Sequence, residues 1–131
     1  MRKAAARILV VEDETLLSWI IDETLRDRDY DVTLATTGAA GLAAIEGQQH
    51  FDLLVTNINL ADGPNGWSLA RRAREVDPQI PVIFVSGDSA YQHADNGVPG
   101  SRMLSKPFLA EDLEKAVDEM LDNPLRPSDR G

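Results

Sequence analysis

Short apolar runs separated by amphipathic stretches limit what this chain of 131 residues can fold into. The runs are RILVV (Arg7–Val11), DVTLA (Asp31–Ala35), LLVT (Leu53–Thr56), PVIFV (Pro81–Val85) and the weaker RML (Arg102–Leu104). All are short and aliphatic or β-branched, as strands covered on both faces are. Between the first two, Leu17, Ile20, Ile21, Thr24 and Leu25 recur at helical spacing, and near the end Leu113, Ala116, Val117, Met120 and Leu121 do the same. Gly38 to Ile45 and Gly66 to Val76 read as two further helices, the second with Leu69, Ala73 and Val76 on one face and Asp77-Pro78 to stop it. The alternation predicts βα units and an α/β fold: a doubly wound, five-stranded parallel sheet with helices on both faces. The segment Asp88 to Gly100 has few apolar positions and is broken by Asn96-Gly97 and Pro99-Gly100, so its helix is expected to be short and loosely held.

Composition closes off several functions. With 43% hydrophobic residues the chain can bury one sizeable core, and a single domain over residues 1–122 is expected. The remainder, NPLRPSDRG, has charge and proline but no apolar period, so 123–131 reads as a mobile tail with no second domain after it. No cysteine is present, which removes disulfides and thiolate metal sites and suits a cytoplasmic protein. The basic start, MRKAAARILVVEDE, has an apolar run of only ILVV before acids interrupt it, and no segment is long enough to span a membrane. A formal net charge of -9 repels nucleic-acid phosphates, so neither nucleic acid nor membrane is expected as a partner.

In a doubly wound sheet, ligands bind beyond the carboxyl ends of the strands, where the strand order reverses. The first strand runs into Glu12, Asp13 and Glu14, the third into Asn57 and Asn59, the fourth into Ser86 and the fifth into Ser105 and Lys106. Clustered carboxylates repel unless a cation sits among them, and oxygen ligands on loops suit Mg²⁺. A hydroxyl and an ammonium opposite would bind the remaining oxygens of a phosphoryl group.

LVVEDE, FDLLVTNINLADGPNGWSLA, VSGD and LSKPF, in that order and over nearly the whole chain, resemble a response regulator receiver domain of two-component signalling, of the chemotaxis-regulator type. The resemblance implies a flavodoxin-like (βα)5 fold and a bacterial phosphorelay protein. It implies that Glu12 binds Mg²⁺ through water, Asp13 directly and Asn59 by its backbone carbonyl. Ser86 would bind a phosphoryl oxygen, Lys106 would neutralise the group, and the Lys106-Pro107 bond would be cis. Asn57 stands at the phosphoacceptor position, where the family's aspartate attacks the phosphorus of a phosphohistidine. An amide cannot make that acyl phosphate, because its nitrogen lone pair is delocalised and its neutral oxygen is a poor nucleophile. Asn57 itself is expected to keep an oxygen donor for the metal but to lose a unit of negative charge beside the dication, which predicts weakened Mg²⁺ binding. Two origins of Asn57 fit the sequence about equally: a natural pseudo-receiver, or a receiver carrying a deliberate Asp-to-Asn change. Deamidation is disfavoured by the bulk of Ile58.

Met103 stands where such receivers carry a tyrosine or phenylalanine that changes rotamer with the hydroxyl, so the aromatic relay is not expected here. The broken segment before VPGSRMLSKPF is similar to a receiver subgroup found with certain alphaproteobacterial sensor kinases, whose fourth helix is short or mobile. Ordering of Asp88 to Gly100 is the expected replacement for the relay. The resemblance implies two partners: a histidine kinase or histidine phosphotransfer protein around the crevice and first helix, and a downstream protein on the face of the fourth helix, fifth strand and fifth helix. The plainer readings leave Glu14 as a solvated loop acid, Trp19 and Trp67 as packing or surface residues, and His50 and His93 on the surface. Gly63 to Gly66 reads as a turn that also shapes the crevice. A signalling module rather than an enzyme is expected. The rival is a Mg²⁺-dependent phosphatase of the haloacid dehalogenase type with Asp13 as nucleophile, but that needs an acid two residues on, where Thr15 stands.

Overall fold

Five strands form one parallel sheet in a computed structural model that describes residues 5–87 and 93–122. In chain order they are β1 (Arg7–Val11), β2 (Asp31–Ala35), β3 (Leu53–Asn57), β4 (Val82–Ser86) and β5 (Arg102–Ser105), and they lie side by side as β2-β1-β3-β4-β5. Helices α1 (Thr15–Arg26), α2 (Gly38–Glu46), α3 (Gly66–Val76), α4 (His93–Asn96) and α5 (Ala110–Asp122) fill the connections. This is the doubly wound, flavodoxin-like α/β architecture that the alternating runs predict. The described part of the fourth helix has four residues. Residues 88–92 and 123–131, where the loose segment and the mobile tail were expected, lie outside the described residues.

Alternation along the strands divides the core in two. Ile8, Val10, Leu53, Val55, Ile83 and Val85 face α1 and α5, where they meet Ile21, Leu25, Leu113 and Val117. Leu9, Val11, Leu54, Val82 and Phe84 face the other way, toward Ile45 of α2 and Trp67, Leu69 and Ala73 of α3. Each inner strand buries a side chain on both faces, which is why its sequence reads as a continuous apolar run. Small residues bring the helices in: a Cβ on Gly41 of α2 would lie 3.0 Å from Val11.

Local chemistry starts the helices where the sequence says they should start. Thr37 caps α2 by accepting from the Ala40 N–H at 3.0 Å, and Asn65 caps α3 by accepting from the Ser68 N–H at 3.0 Å. Three placements differ from expectation. Ile20 and Val76, expected on buried faces, are exposed, because the buried stripe of α1 runs through Ser18, Ile21, Thr24 and Leu25, and that of α3 through Trp67, Leu69, Ala70 and Ala73. His93, expected on the surface, is half-buried: its ring stacks on Trp67 at 6.5 Å and meets Phe84 edge-on at 5.7 Å. His50 is exposed as expected, 3.3 Å from Asp52. No helix among the described residues is long and apolar enough to cross a membrane.

Candidate functional site

The strand order reverses between β1 and β3, and the residues after those two strands come together there. Glu12 is pulled in by its own backbone, whose N–H extends the ladder to the carbonyl of Ala35 at 3.0 Å, leaving the residue 1% exposed. Its Oε2 accepts from the Glu14 N–H at 3.0 Å, which bends the chain into α1. Its Oε1 is buried and makes no hydrogen bond, with the Lys106 Nζ at 3.7 Å. Burial pushes the Glu12 carboxyl above its ordinary 4.5, opposed by the Glu14 N–H and by Lys106.

Asp13 is fixed from the loop after β3. The turn bends through Asp62 at φ 50° and Gly63 at φ 121°, the left-handed region where glycine carries no penalty. It docks on the start of α2, where the Gly38 N–H donates to Ala61 and the Ala39 N–H to Asp62 at 3.0 and 2.7 Å. A Cβ on Gly38 would lie 2.1 Å from the Pro64 carbonyl, so only glycine lets loop and helix approach this closely. The docked loop aims the Ala61 N–H at Asp13 Oδ2, 3.0 Å away. The expected turn at Gly63–Gly66 therefore does shape the crevice.

Asn57 ends β3 paired with Val85 in β4, and is 8% exposed. Its Oδ1 accepts from the Ile58 N–H at 2.9 Å, which turns the amide nitrogen toward the acids. Nδ2 lies 3.2 Å from Glu12 Oε2, 3.3 Å from Asp13 Oδ1 and 3.1 Å from the Asn59 carbonyl. Behind it, Gly66 packs so closely that a Cβ there would sit 2.3 Å from the Asn57 carbonyl. The start of α3 is thereby fixed against the end of β3, and the Gly66 N–H donates to Ile58 at 2.8 Å.

The other wall comes from β4 and β5. Ser86 is buried at the end of β4 opposite Ser105, and one residue on the Lys106 N–H continues the ladder to the Ser86 carbonyl at 2.8 Å. The Lys106-Pro107 bond is cis, as the resemblance implies. Lys106 Nζ lies 3.7 Å from both Glu12 Oε1 and Glu14 Oε1. Glu14, read from sequence as a solvated loop acid, therefore belongs to the lysine's surroundings, although it is itself exposed. Sequence reasoning also missed the Ala61 N–H, because backbone donors carry no sequence signal beyond the glycines that shape the loop. Met103 pairs with Phe84 and packs, partly buried, against the cluster holding Trp67 and Phe84, so it fills space beneath the β4–β5 edge.

Glu12, Asp13 and the Asn59 carbonyl present oxygen atoms only, and Glu12 Oε1 is buried without a hydrogen bond, so the donor set suits a hard cation. Among the described residues no group of three or more His, Cys, Asp or Glu could hold a metal ion. Asn57, expected to give a metal an oxygen, turns its amide nitrogen to the two acids instead, because its Oδ1 accepts from the Ile58 N–H.

Comparison with known proteins agrees with this geometry. The family model of the response regulator receiver domain matches residues 8–118. The chain is 33% identical over 117 residues to the response regulator receiver protein CpdR of Brucella abortus, covering 88% of this chain and 96% of that protein. It superimposes on the crystal structure of a response regulator receiver protein from Sinorhizobium medicae with a TM-score of 0.88 at 38% identity, covering 91% and 96% of the two chains. It is also 32% identical to part of the 3',5'-cyclic-nucleotide phosphodiesterase regA of Dictyostelium discoideum, of which it spans only 15%. Sequence match, sheet order and pocket agree, and the chain belongs to the response regulator receiver domain family of two-component signalling.

Proposed function

We propose that this chain is a receiver that signals by protein contacts without forming an acyl phosphate. One observation carries the reading: the residue at the end of β3, facing Glu12 and Asp13, is the amide Asn57. A neutral amide oxygen already engaged by the Ile58 N–H offers no nucleophile to a phosphohistidine. The rest of the machinery keeps its family roles, with Ser86 for a phosphoryl oxygen, Lys106 for its charge, and Met103 in place of the aromatic switch. Receiver domains generally bind Mg²⁺ at the acidic pocket. Here Glu12, Asp13 and the Asn59 carbonyl would hold it, more weakly than with an aspartate at 57, and the ion when bound neutralises phosphoryl oxygens.

The surface supports a reading of the partners. Beside Lys106, α1 leaves Leu16 63% and Ile20 44% exposed, and Trp19 of the same helix and Leu109 are also in solvent. A groove of about 400 Å³ runs between Leu16, Ile20, Lys106 and Phe108. Apolar surface of this kind at the mouth of the pocket supports docking of a histidine kinase or histidine phosphotransfer protein. A downstream protein would read the face of α4, β5 and α5. The module is cytoplasmic, binds neither nucleic acid nor membrane, and is not a catalyst. The phosphatase reading lacks its second acid, since Thr15 already begins α1.

Intact mass after incubation with Mg²⁺ and acetyl phosphate tests the proposal, on this chain and on Asn57→Asp. The chain is expected to stay unmodified while the aspartate variant gains one labile phosphoryl group. A phosphoryl group on the chain itself overturns the reading. Absence from both would remove the claim that Glu12, Asp13, Ser86 and Lys106 are intact machinery.

A further inference from the structure

We propose that the Asn57 amide stands in for the divalent cation in the acidic pocket, holding Glu12, Asp13 and the Asn59 carbonyl together and competing with metal for them. The inference rests on the reading of this pocket given above, and goes beyond a simple loss of one ligand charge.

The geometry carries it. One NH₂ group lies between 3.1 and 3.3 Å from Glu12 Oε2, Asp13 Oδ1 and the Asn59 carbonyl oxygen. These belong to the same three residues whose oxygens would ligate a metal. Two hydrogens serve three acceptors, so at least one is shared, which fits distances slightly longer than a single unshared bond. The orientation is fixed from the other end, because Oδ1 accepts from the Ile58 N–H at 2.9 Å, so rotating the amide would lose that bond and present oxygen to two carboxylates. An aspartate held in this position would place an anionic oxygen where the amide nitrogen is, against three other oxygens. That arrangement needs a cation. Amide and metal are therefore alternatives for one set of acceptors. Of the two remaining carboxylate oxygens, Asp13 Oδ2 accepts from the Ala61 N–H, and Glu12 Oε1 lies 3.7 Å from the Lys106 Nζ without a hydrogen bond; Glu12 Oε2 also accepts from the Glu14 N–H.

The two accounts of Asn57 separate at Asn57→Ala. If the residue matters only through its missing charge, alanine should bind Mg²⁺ no better than asparagine, since neither is anionic. If the amide occupies the metal's place, alanine frees the three acceptors and gives up no metal ligand, because Oδ1 is turned to the Ile58 N–H. We expect calorimetric titration with Mg²⁺ alone to show Asn57→Ala binding at least tenfold tighter than the chain itself. Thermal unfolding supplies a second readout that needs no alanine variant. The chain should melt at the same temperature in EDTA and in millimolar Mg²⁺, while Asn57→Asp should melt lower in EDTA and recover with Mg²⁺. Equal or weaker Mg²⁺ binding by Asn57→Ala, or a rise on Mg²⁺ addition for the chain itself as large as for Asn57→Asp, overturns the proposal. Such a result would leave the phosphate-independent reading standing, because that is decided by mass and not by metal.

Discussion

The two faces of the sheet are covered differently. On one, α1 and α5 have 12 and 13 residues, and beyond the shared apolar layer they are tied by polar links. The Tyr30 hydroxyl, just after α1, donates to Asp118 of α5 at 2.6 Å, Arg28 pairs with the same carboxylate, and Arg102 of β5 pairs with Glu119 at 2.6 Å. On the other face α2 and α3 cover β1 and β3, but over the β4–β5 edge the described cover is the four-residue α4, Val98 and a small aromatic group. That group is Trp67 against Phe84 at 4.7 Å, with His93 over both. His93 Nε2 lies 2.8 Å from the Ser101 hydroxyl, which donates to the Val98 carbonyl at 2.6 Å, so local bonds help to hold this end. Where a region has few buried contacts it opens at lower free energy than the core. Among the described residues, the β4–β5 edge is the more lightly covered and should open before the α1–α5 face.

The largest effects should come from the residues that anchor each face. Phe84→Ala removes the centre of the aromatic group and Leu113→Ala the centre of α5's buried stripe; both side chains are fully buried. Each should cost about 3–5 kcal/mol. Because both layers rest on one sheet, urea unfolding of either variant should remain a single transition with coincident circular dichroism and tryptophan fluorescence. Two separated transitions in Phe84→Ala would mean that the faces unfold independently, and the contrast would then be one of separate units rather than of unequal cover.

Much of this contrast could be read in the sequence, and the exceptions have physical causes. RILVV and DVTLA coincide with β1 and β2, each opening on a charged residue, Arg7 or Asp31, and closing on an apolar one, Val11 or Ala35. In β3 and β4 the strand runs one residue further than the apolar run, to Asn57 and Ser86, because a polar residue can keep its place in the ladder while presenting its side chain to the pocket. The pocket itself was legible from the rule that ligands lie at strand ends. The direction of the Asn57 amide was not, since it depends on the Ile58 N–H and on where the Asp62–Gly63 turn puts Ala61. Helix α1 carries two apolar stripes, and periodicity cannot say which one meets the sheet, so it places Ile20 inward with Ile21. A lone histidine gave no sign of being packed. The available clue was Gly97 four residues on, where a Cβ would lie 2.3 Å from the His93 ring.

The polar tie between α1 and α5 can be tested by pH. Burial first, and then the hydrogen bond to Asp118, pushes the Tyr30 hydroxyl from 10.0 up to about 12. A group whose value is raised on folding adds stability that is complete below its unfolded value and lost as pH rises through the folded one. The chain should therefore lose stability between pH 10.0 and about 12, and Tyr30→Phe should flatten part of that loss. At neutral pH the substitution should cost about 1.5–3 kcal/mol, the worth of a hydrogen bond to a charged acceptor. Urea midpoints measured across this range in both proteins decide it: parallel slopes would show that Tyr30 does not couple the helices.

The smallest global effect is expected at His93, and there the contrast between the faces becomes sharpest. His93→Ala removes a ring from the aromatic group and the bond to Ser101, at a cost of about 0.5–1.5 kcal/mol. Gly97→Ala should act similarly by a different route, since its Cβ would collide with the ring and force it outward. In hydrogen exchange, both variants should speed the amides of residues 93–101 and leave those of α1 and α5 unchanged. If protection is also lost in α5, the β4–β5 edge is coupled to the better-tied face through the sheet. The cover over that edge would then be a structural part of the whole domain, and could not change alone when a partner binds.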